Sequence, residues 1–302
     1  MARPFIDRML PLPLRRNPSS RVRNDRRQER EHRKAARRAR PLKVTTTTRL
    51  LAWCVHLYTA MGLVCAAAIG VALVQGRPEA FRWSFALMAL ATIIDSTDGT
   101  LARKIHIKEV LPGFDGRRLD DITDFLTYTV LPLMLIWRAG LLPAGTEWAL
   151  VLPLLASAYG FCQCAVKTDD GYFLGFPSLW NVVAFYLYVT RIPSWAALAA
   201  VVVLALLTFV PSKYLYPTQP GRFNVLANVL AAVWMLMLVP VLWALPTPDA
   251  LRAGTGNPTI MALAWASLFY PIFYMGASWV VTLRGWSRRP AAETVDTAAR
   301  PL

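Results

Sequence analysis

The sequence predicts an all-α integral membrane protein of about eight transmembrane helices, with both termini in the cytoplasm. Three observations carry that expectation. The 302 residues are 55% hydrophobic and only 17% charged, a membrane composition once the polar N-terminal stretch is set aside. Apolar stretches long enough to cross a hydrocarbon core of roughly 30 Å recur along the chain. The 33 Lys and Arg residues are also spread very unevenly between the segments that join those stretches.

Residues 1–45 form a basic segment with RNDRRQEREHRKAARRAR at its centre. It has too few apolar residues to build a core and is expected to lie as a tail on anionic lipid. It lacks the aromatic interleaving of a nucleic-acid binder, so no nucleic acid is expected as a partner. More than forty polar, Arg-rich residues precede any apolar run, which is not the pattern of a cleavable signal peptide. Thr45 to Thr48 are placed to cap the first helix. Spans are then expected near 50–75, 81–101, 120–138, 147–166, 177–191, 195–211, 223–244 and 259–283. Arg191 and Pro193 leave only a tight turn between the fifth and the sixth. Residues 46–285 thus form a transmembrane domain, and 286–302 a second cytoplasmic tail.

Charge orients these spans. The first fifty residues carry 16 Lys/Arg. With both termini inside, the inner loops and C-terminal tail add 12, including Arg103, Lys104, Lys108, Arg117, Arg118, Lys167 and Lys213. The outer side keeps five: Arg77, Arg82, Arg138, Arg191 and Arg252. The positive-inside rule selects that orientation even without the tail. Cys54, Cys65, Cys162 and Cys164 fall inside spans without metal-finger spacing and are expected as packing residues.

One constellation stands apart from this apolar background. Asp95, Asp98, Gly99, Ala102 and Arg103 read D-x-x-D-G-x-x-A-R; Gly116, Asp120 and Asp124 follow as G-x-x-x-D-x-x-x-D. Charge within a membrane helix is expensive, so clustered acids there mark a functional site. Asp95 and Asp98 are three residues apart and Asp120 and Asp124 four, so each pair shares a helix face. Four converging carboxylates repel one another unless cations sit between them, and all-oxygen clusters suit Mg²⁺ or Mn²⁺. The pattern reads as a divalent-metal phosphotransfer site at the cytoplasmic membrane surface. Gly99 and Ala102 leave room for a helix or a flat ligand against the backbone, and Gly116 is expected in the turn before the third span. Asp121 faces about 100° away from Asp120 and is expected as a helix-start residue or an Arg partner. A cation-coupled transporter would instead place acids at the bilayer midplane in two repeated halves, and no second copy of the pattern is present.

These residues resemble the CDP-alcohol phosphotransferase family, whose signature is matched at all eight positions. The resemblance covers roughly residues 50–285. Within the family the chain is most similar to a choline-using bacterial branch, through AWCVHLYTAMG at 52–62, VLPGFDGRRLDDITDFLTYTVLP at 110–132 and YGFCQCAVKTDDGYFLGFPSLWNVVAFYLY at 159–188. What the resemblance implies is a multi-pass homodimer in the bacterial cytoplasmic (inner) membrane. Its reaction would move a phosphatidyl group from CDP-diacylglycerol to choline and release CMP. Asp95, Asp98, Asp120 and Asp124 would hold two divalent ions, Mn²⁺ or Mg²⁺, with Asp124 also the general base. Asp98, Gly99, Ala102, Arg103 and Gly116 would line the CDP pocket. Serine, glycerol phosphate and inositol are the alternative acceptors.

The implied chemistry makes its own demands. A quaternary ammonium cannot donate N–H bonds and is best held against aromatic faces beside carboxylates. Tyr128, Tyr159 and Trp180 are the candidates, with Phe161, Tyr172, Phe173 and Tyr186 behind them. Tyr128 comes first because 120, 124 and 128 share a helix face. His56 is expected to be a satisfied packing residue and His106 a connector residue. Lys167, Asp169 and Asp170 are expected in a solvated loop. Arg117 and Arg118 flank the acidic pair, where they would meet lipid phosphate or hold topology.

Overall fold

The computed structural model describes residues 44–163, 172–215 and 222–287. The basic tail, Cys164, Lys167, Asp169, Asp170 and most of the C-terminal tail lie outside them. Helix α1 (Thr46–Gln75) is followed by α2 (Ala80–Lys104), the short α3 (Ile107–Val110) and α4 (Gly116–Asp124). A π-helical turn, Phe125–Val130, continues α4 into α5 (Leu131–Arg138). A 3-10 turn, Glu147–Leu150, leads into α6 (Val151–Cys162), then strand β1 (Tyr172–Leu174), α7 (Trp180–Thr190) and α8 (Ser194–Leu207). Strand β2 (Lys213–Leu215), α9 (Arg222–Trp243), α10 (Pro248–Arg252), α11 (Pro258–Ala266) and α12 (Phe269–Ser287) complete the order.

Helix α1 shows what surrounds this bundle. Its buried face is Ala52, His56, Thr59, Gly62, Cys65, Ala66, Ile69 and Leu73, spaced by three and four. Leu50, Leu57, Val64 and Val71, seven apart on the opposite stripe, are each more than half exposed. From Ala52 to Ala66 small and polar residues face inward, with Ile69 and Leu73 following them, and large apolar residues line the outward stripe. That is the reverse of a helix in water and the arrangement expected where lipid is the solvent.

Every apolar stretch expected to span is helical over most of its length, but the helices are unequal. Four described segments are long and apolar enough to cross a membrane: Thr46–Gln75, Ala80–Lys104, Val225–Trp243 and Pro258–Gly285. By contrast, α7 has 11 residues and α8 has 14, about 16 and 21 Å at 1.5 Å per residue. Short as it is, α7 is largely enclosed. Trp180, Ala184 and Tyr188 are fully enclosed, and Phe185, Tyr186, Leu187 and Val189 are buried with them. It serves as the axis of the core, against α5, while α6 packs on α8.

The bundle also holds the one departure from an all-α chain among the described residues, an antiparallel ribbon pairing Tyr172 with Leu215 and Leu174 with Lys213. An open strand edge inside a membrane protein leaves costly backbone groups. Here α12 covers the far edge of β2 with side chains spaced four apart. Thr282 Oγ1 accepts from Lys213 N (2.8 Å), Ser278 Oγ accepts from Leu215 N (3.2 Å), and Tyr274 OH donates to the Leu215 carbonyl (3.1 Å). Among the cysteines, Cys65 packs in the core as expected, whereas Cys54 and Cys162 are exposed.

One close approach sets the position of the site. Gly62 of α1 lies against the Thr123 methyl of α4 with no room for a Cβ between them. Thr123 cannot swing aside cheaply, because its hydroxyl donates to the Leu119 carbonyl at 2.8 Å. Gly62→Ala is therefore expected to destabilise the protein by about 1–3 kcal/mol. Thr123→Ser removes the offending methyl, keeps the hydroxyl, and should restore most of that loss. Thermal unfolding of the single and double variants in detergent checks this: no rescue in the double variant would refute the contact.

Candidate active site

Every residue of the D-x-x-D-G-x-x-A-R run belongs to the last turns of α2, which ends at Lys104. Asp98 is buried and Asp95 half-buried. The connector turns back through α3 and Pro112–Phe114. Asp115 then caps α4 by accepting hydrogen bonds from the Arg117 and Arg118 amides at 3.1 and 3.3 Å. An Asp at this position satisfies orphan donors and favours the positive helix end. The cap starts α4 so that Asp120, one turn along, faces the end of α2.

The result is a three-carboxylate cluster. One oxygen each from Asp95, Asp98 and Asp120 lies within 4.8 Å of the others. The donor set fits a hard divalent cation. Ligands about 2.1 Å from Mg²⁺ stand at most about 4.2 Å apart, so small side-chain adjustments close the cluster onto an ion. Asp124 is half-buried and stands outside that group of three. Its carboxylate lies within electrostatic reach of Asp95, Asp120, Asp98 and Asp121. The four acids of the signature thus share one neighbourhood, with three able to close on one ion and the fourth beside them.

Two hydroxyls from other helices reach into the cluster. Thr59 of α1 donates to Asp98 Oδ2 at 2.7 Å. Tyr128, in the π-helical turn, donates to Asp95 Oδ2 at 2.8 Å. A third bond, between Tyr58 and Thr97 at 2.8 Å, ties α1 to α2 just alongside. Neither Tyr58 nor Thr59 stood out in the sequence as a site residue. The available signal was the run of small and polar residues His56, Thr59 and Gly62 at spacing three, on the packed face of an otherwise apolar helix.

The glycines of the signature do different work. A Cβ on Gly99 would meet only the Arg103 guanidinium, 3.4 Å away. Arg103 folds back over that open patch, its Nη2 donating to Thr100 at 2.9 Å. Ala102 is half-buried on the same helix. Gly116 is not in a turn, contrary to expectation; it is the first residue of α4. A Cβ there would sit 2.5 Å from His56 Cε1, so its small size admits the His56 ring. That ring also packs on Phe114, with centroids 4.3 Å apart. His56 is a packing residue as expected, but not a satisfied one, since its buried Nε2 has no hydrogen-bond partner.

The candidate aromatics separate clearly. Tyr128 touches the cluster. Tyr159 is exposed on α6 and lies against Phe209, with centroids 4.9 Å apart. Trp180 is fully buried with its indole N–H donated to Ser157 at 2.8 Å, so it has no face to offer a ligand. Tyr186 bonds Ser267 and Trp234 in the core, and Phe161 meets Phe125 edge-on. Phe173 packs on the core, and Tyr172 carries the Lys213 ammonium over its ring. His106 faces Glu109 across 3.7 Å in the connector, and Arg118 pairs with Asp115.

No protein-family model matches the chain. Curated relatives do. A phosphatidylcholine synthase of Pseudomonas aeruginosa is 41% identical over 197 residues, which cover 65% of this chain and 81% of that protein. The Legionella pneumophila phosphatidylcholine synthase is 39% identical over 238 residues, 74% of this chain and 90% of the relative. The corresponding protein of Borreliella burgdorferi is 30% identical over 227 residues, covering 75% and 94%. Identity that extends along most of each relative's length reflects a shared chain rather than a shared motif, and by it this protein belongs to the phosphatidylcholine synthase family of membrane enzymes.

Proposed function

We propose that the protein transfers the phosphatidyl group of CDP-diacylglycerol to choline, giving phosphatidylcholine and CMP, at the cytoplasmic face of a bacterial inner membrane. The observation that carries the proposal is the convergence of Asp95, Asp98 and Asp120 within 4.8 Å, with Asp124 in electrostatic reach, in a chain of this family. Family names alone supply the acceptor; the carboxylate cluster supplies a reason for the chemistry. The excess of Lys and Arg on the same side as the cluster favours the cytoplasmic orientation.

Each residue has a role in this reading. Asp95, Asp98 and Asp120 would hold a divalent cation, which neutralises the diphosphate and stabilises CMP as it leaves. By the family resemblance, Asp124 would join them as a ligand of one or two such ions. Arg103, lying over Gly99, is placed to meet a phosphate of the nucleotide, and Gly99 and Ala102 leave the space beside it. Asp124 takes the hydroxyl proton of choline. The choline oxygen then bonds to the phosphorus that carries diacylglycerol, and the bond from that phosphorus to the CMP oxygen breaks. The ring of Tyr128, next to the same carboxylates, is the aromatic face best placed for the trimethylammonium group.

Radiolabelled choline supplied with CDP-diacylglycerol and Mn²⁺ to membranes containing the protein should appear in phosphatidylcholine, with CMP released, and chelator should abolish it. Incorporation of serine, glycerol phosphate or inositol in place of choline would overturn the acceptor. Asp124→Asn should lower kcat by about 10²–10⁴-fold, the usual contribution of a positioned base. Full turnover in that variant would remove Asp124 from the proton transfer. At saturating Mn²⁺, Tyr128→Leu should raise the KM for choline about 2- to 30-fold over Tyr128→Phe, the range expected for one lost cation–π contact. Equal KM values would send choline elsewhere.

A further inference from the structure

Asp95 and Asp98 stand on one helix, yet each accepts a hydrogen bond from a different neighbour. Thr59 reaches Asp98 from α1 at 2.7 Å, and Tyr128 reaches Asp95 from the π-helical turn at 2.8 Å. Both are hydroxyl donors to carboxylates, at distances close to those of charge-assisted bonds. We propose that Tyr128 and Thr59 are positioning residues that fix the two α2 carboxylates in the orientation that binds a divalent cation. The inference rests on reading the three-carboxylate cluster as a cation site.

The backbone supports a dedicated role for Tyr128. In a regular α-helix, residue 128 would lie about 40° past the face of Asp124, since four residues turn 400°. A π-helical turn closes over five residues rather than four and so turns less per residue. The Phe125–Val130 turn begins directly after Asp124, which swings Tyr128 back toward that face and delivers its hydroxyl to Asp95. Such turns are uncommon and gather at functional sites.

The packing holds Thr59 just as firmly. It lies on the buried face of α1 between His56 and Gly62. The glycine's contact with Thr123 keeps α1 close to the acid-bearing helices. The alternative acceptor for the Thr59 hydroxyl, the Val55 carbonyl, is farther away at 3.4 Å. An ionised carboxylate has about four lone-pair sites, so one hydroxyl bond and one cation are compatible on the same group. The value of such partners is geometric. They restrict the torsional freedom of a ligand before the cation arrives, and removing one typically weakens metal affinity about 10–100-fold.

Direct Mn²⁺ binding to the purified full-length protein, followed by the electron paramagnetic resonance of unbound Mn²⁺, tests this without any turnover. Tyr128→Phe keeps the ring and loses the hydroxyl; its dissociation constant for Mn²⁺ should rise about 10–100-fold. Thr59→Val should show a rise of the same order, and Thr59→Ser, which retains a hydroxyl, should restore affinity. Parent-like Mn²⁺ binding in Tyr128→Phe and Thr59→Val would overturn the positioning role while leaving choline transfer intact. Absence of saturable Mn²⁺ binding to the parent would overturn the cation site itself, and the positioning role with it. A choline KM that rises in Tyr128→Phe while Mn²⁺ binding stays parent-like would mean that the hydroxyl serves the acceptor instead.

Discussion

Two unit negative charges 4.8 Å apart repel by about 3.5 kcal/mol at the effective dielectric of a protein surface, and this bundle holds three such groups within that distance. Holding them there requires that other contacts oppose the repulsion. The Asp115 cap starts α4 at the register that points Asp120 inward. The bare backbone of Gly62 lets α1 approach α4. Hydroxyls of Thr59 and Tyr128 each withdraw some charge from a carboxylate. The same contacts that let the protein tolerate the cluster leave it shaped for a cation, whose arrival would convert repulsion into attraction. Stability without an ion and affinity for one would then be set by the same few contacts.

Those contacts depend on small side chains along the face that α1 turns to the site. In water, burying leucine and phenylalanine would drive helices together; in lipid it gains little, because acyl chains are as apolar as the side chains. On α1 the protein places Leu50, Leu57, Val64 and Val71 outward and turns Ala52, Thr59, Gly62, Cys65 and Ala66 to its neighbours, while large side chains such as Leu135, Trp180 and Tyr188 fill the centre of the bundle. Gly116 extends this logic to the site, where its missing side chain makes room for His56. Polar links then carry specificity that bulk apolar contact cannot. Trp180 to Ser157, Tyr186 to Ser267 and the three α12 side chains along β2 each fix one register.

The fold was legible where hydropathy has a long period and opaque where it does not. Runs of twenty apolar residues announce helices, and α1, α2, α9 and the α11–α12 segment follow them closely. Clustered acids in such runs announce a site; spacing put Asp95 with Asp98 and Asp120 with Asp124, and of the four acids expected to converge, Asp95, Asp98 and Asp120 form the close group. Three-residue strands leave no periodic trace, so Tyr172–Leu174 and Lys213–Leu215 escaped, as did the hydroxyl ladder that covers them. Trp180 carries the aromatic chemistry of a choline site, but nothing local distinguishes an interface tryptophan from one at the axis of a bundle. Gly116 read as a turn because glycine usually serves turns; its partner, His56, lies sixty residues earlier in the chain. The π-helical turn is the least legible feature of all, since FLTYTV is also a good α-helical sequence.

In the proposed reading, that turn lets one residue serve two functions that are chemically separate. A tyrosine has an apolar face and a polar tip, and the two can meet different partners at once. With its hydroxyl committed to Asp95, the ring of Tyr128 is held in place by a bond in which choline takes no part. A face fixed in advance loses little freedom when a cation settles on it, and preorganisation of this kind raises affinity without any new contact. Choline, with one hydroxyl and a charge that no N–H can direct, offers an enzyme little else to hold. Coupling its aromatic support to a carboxylate of the cation site would bring the acceptor near the phosphorus only when that carboxylate is correctly oriented. On this argument, the link between Tyr128 and Asp95 binds the positioning of the acceptor to the integrity of the acid cluster.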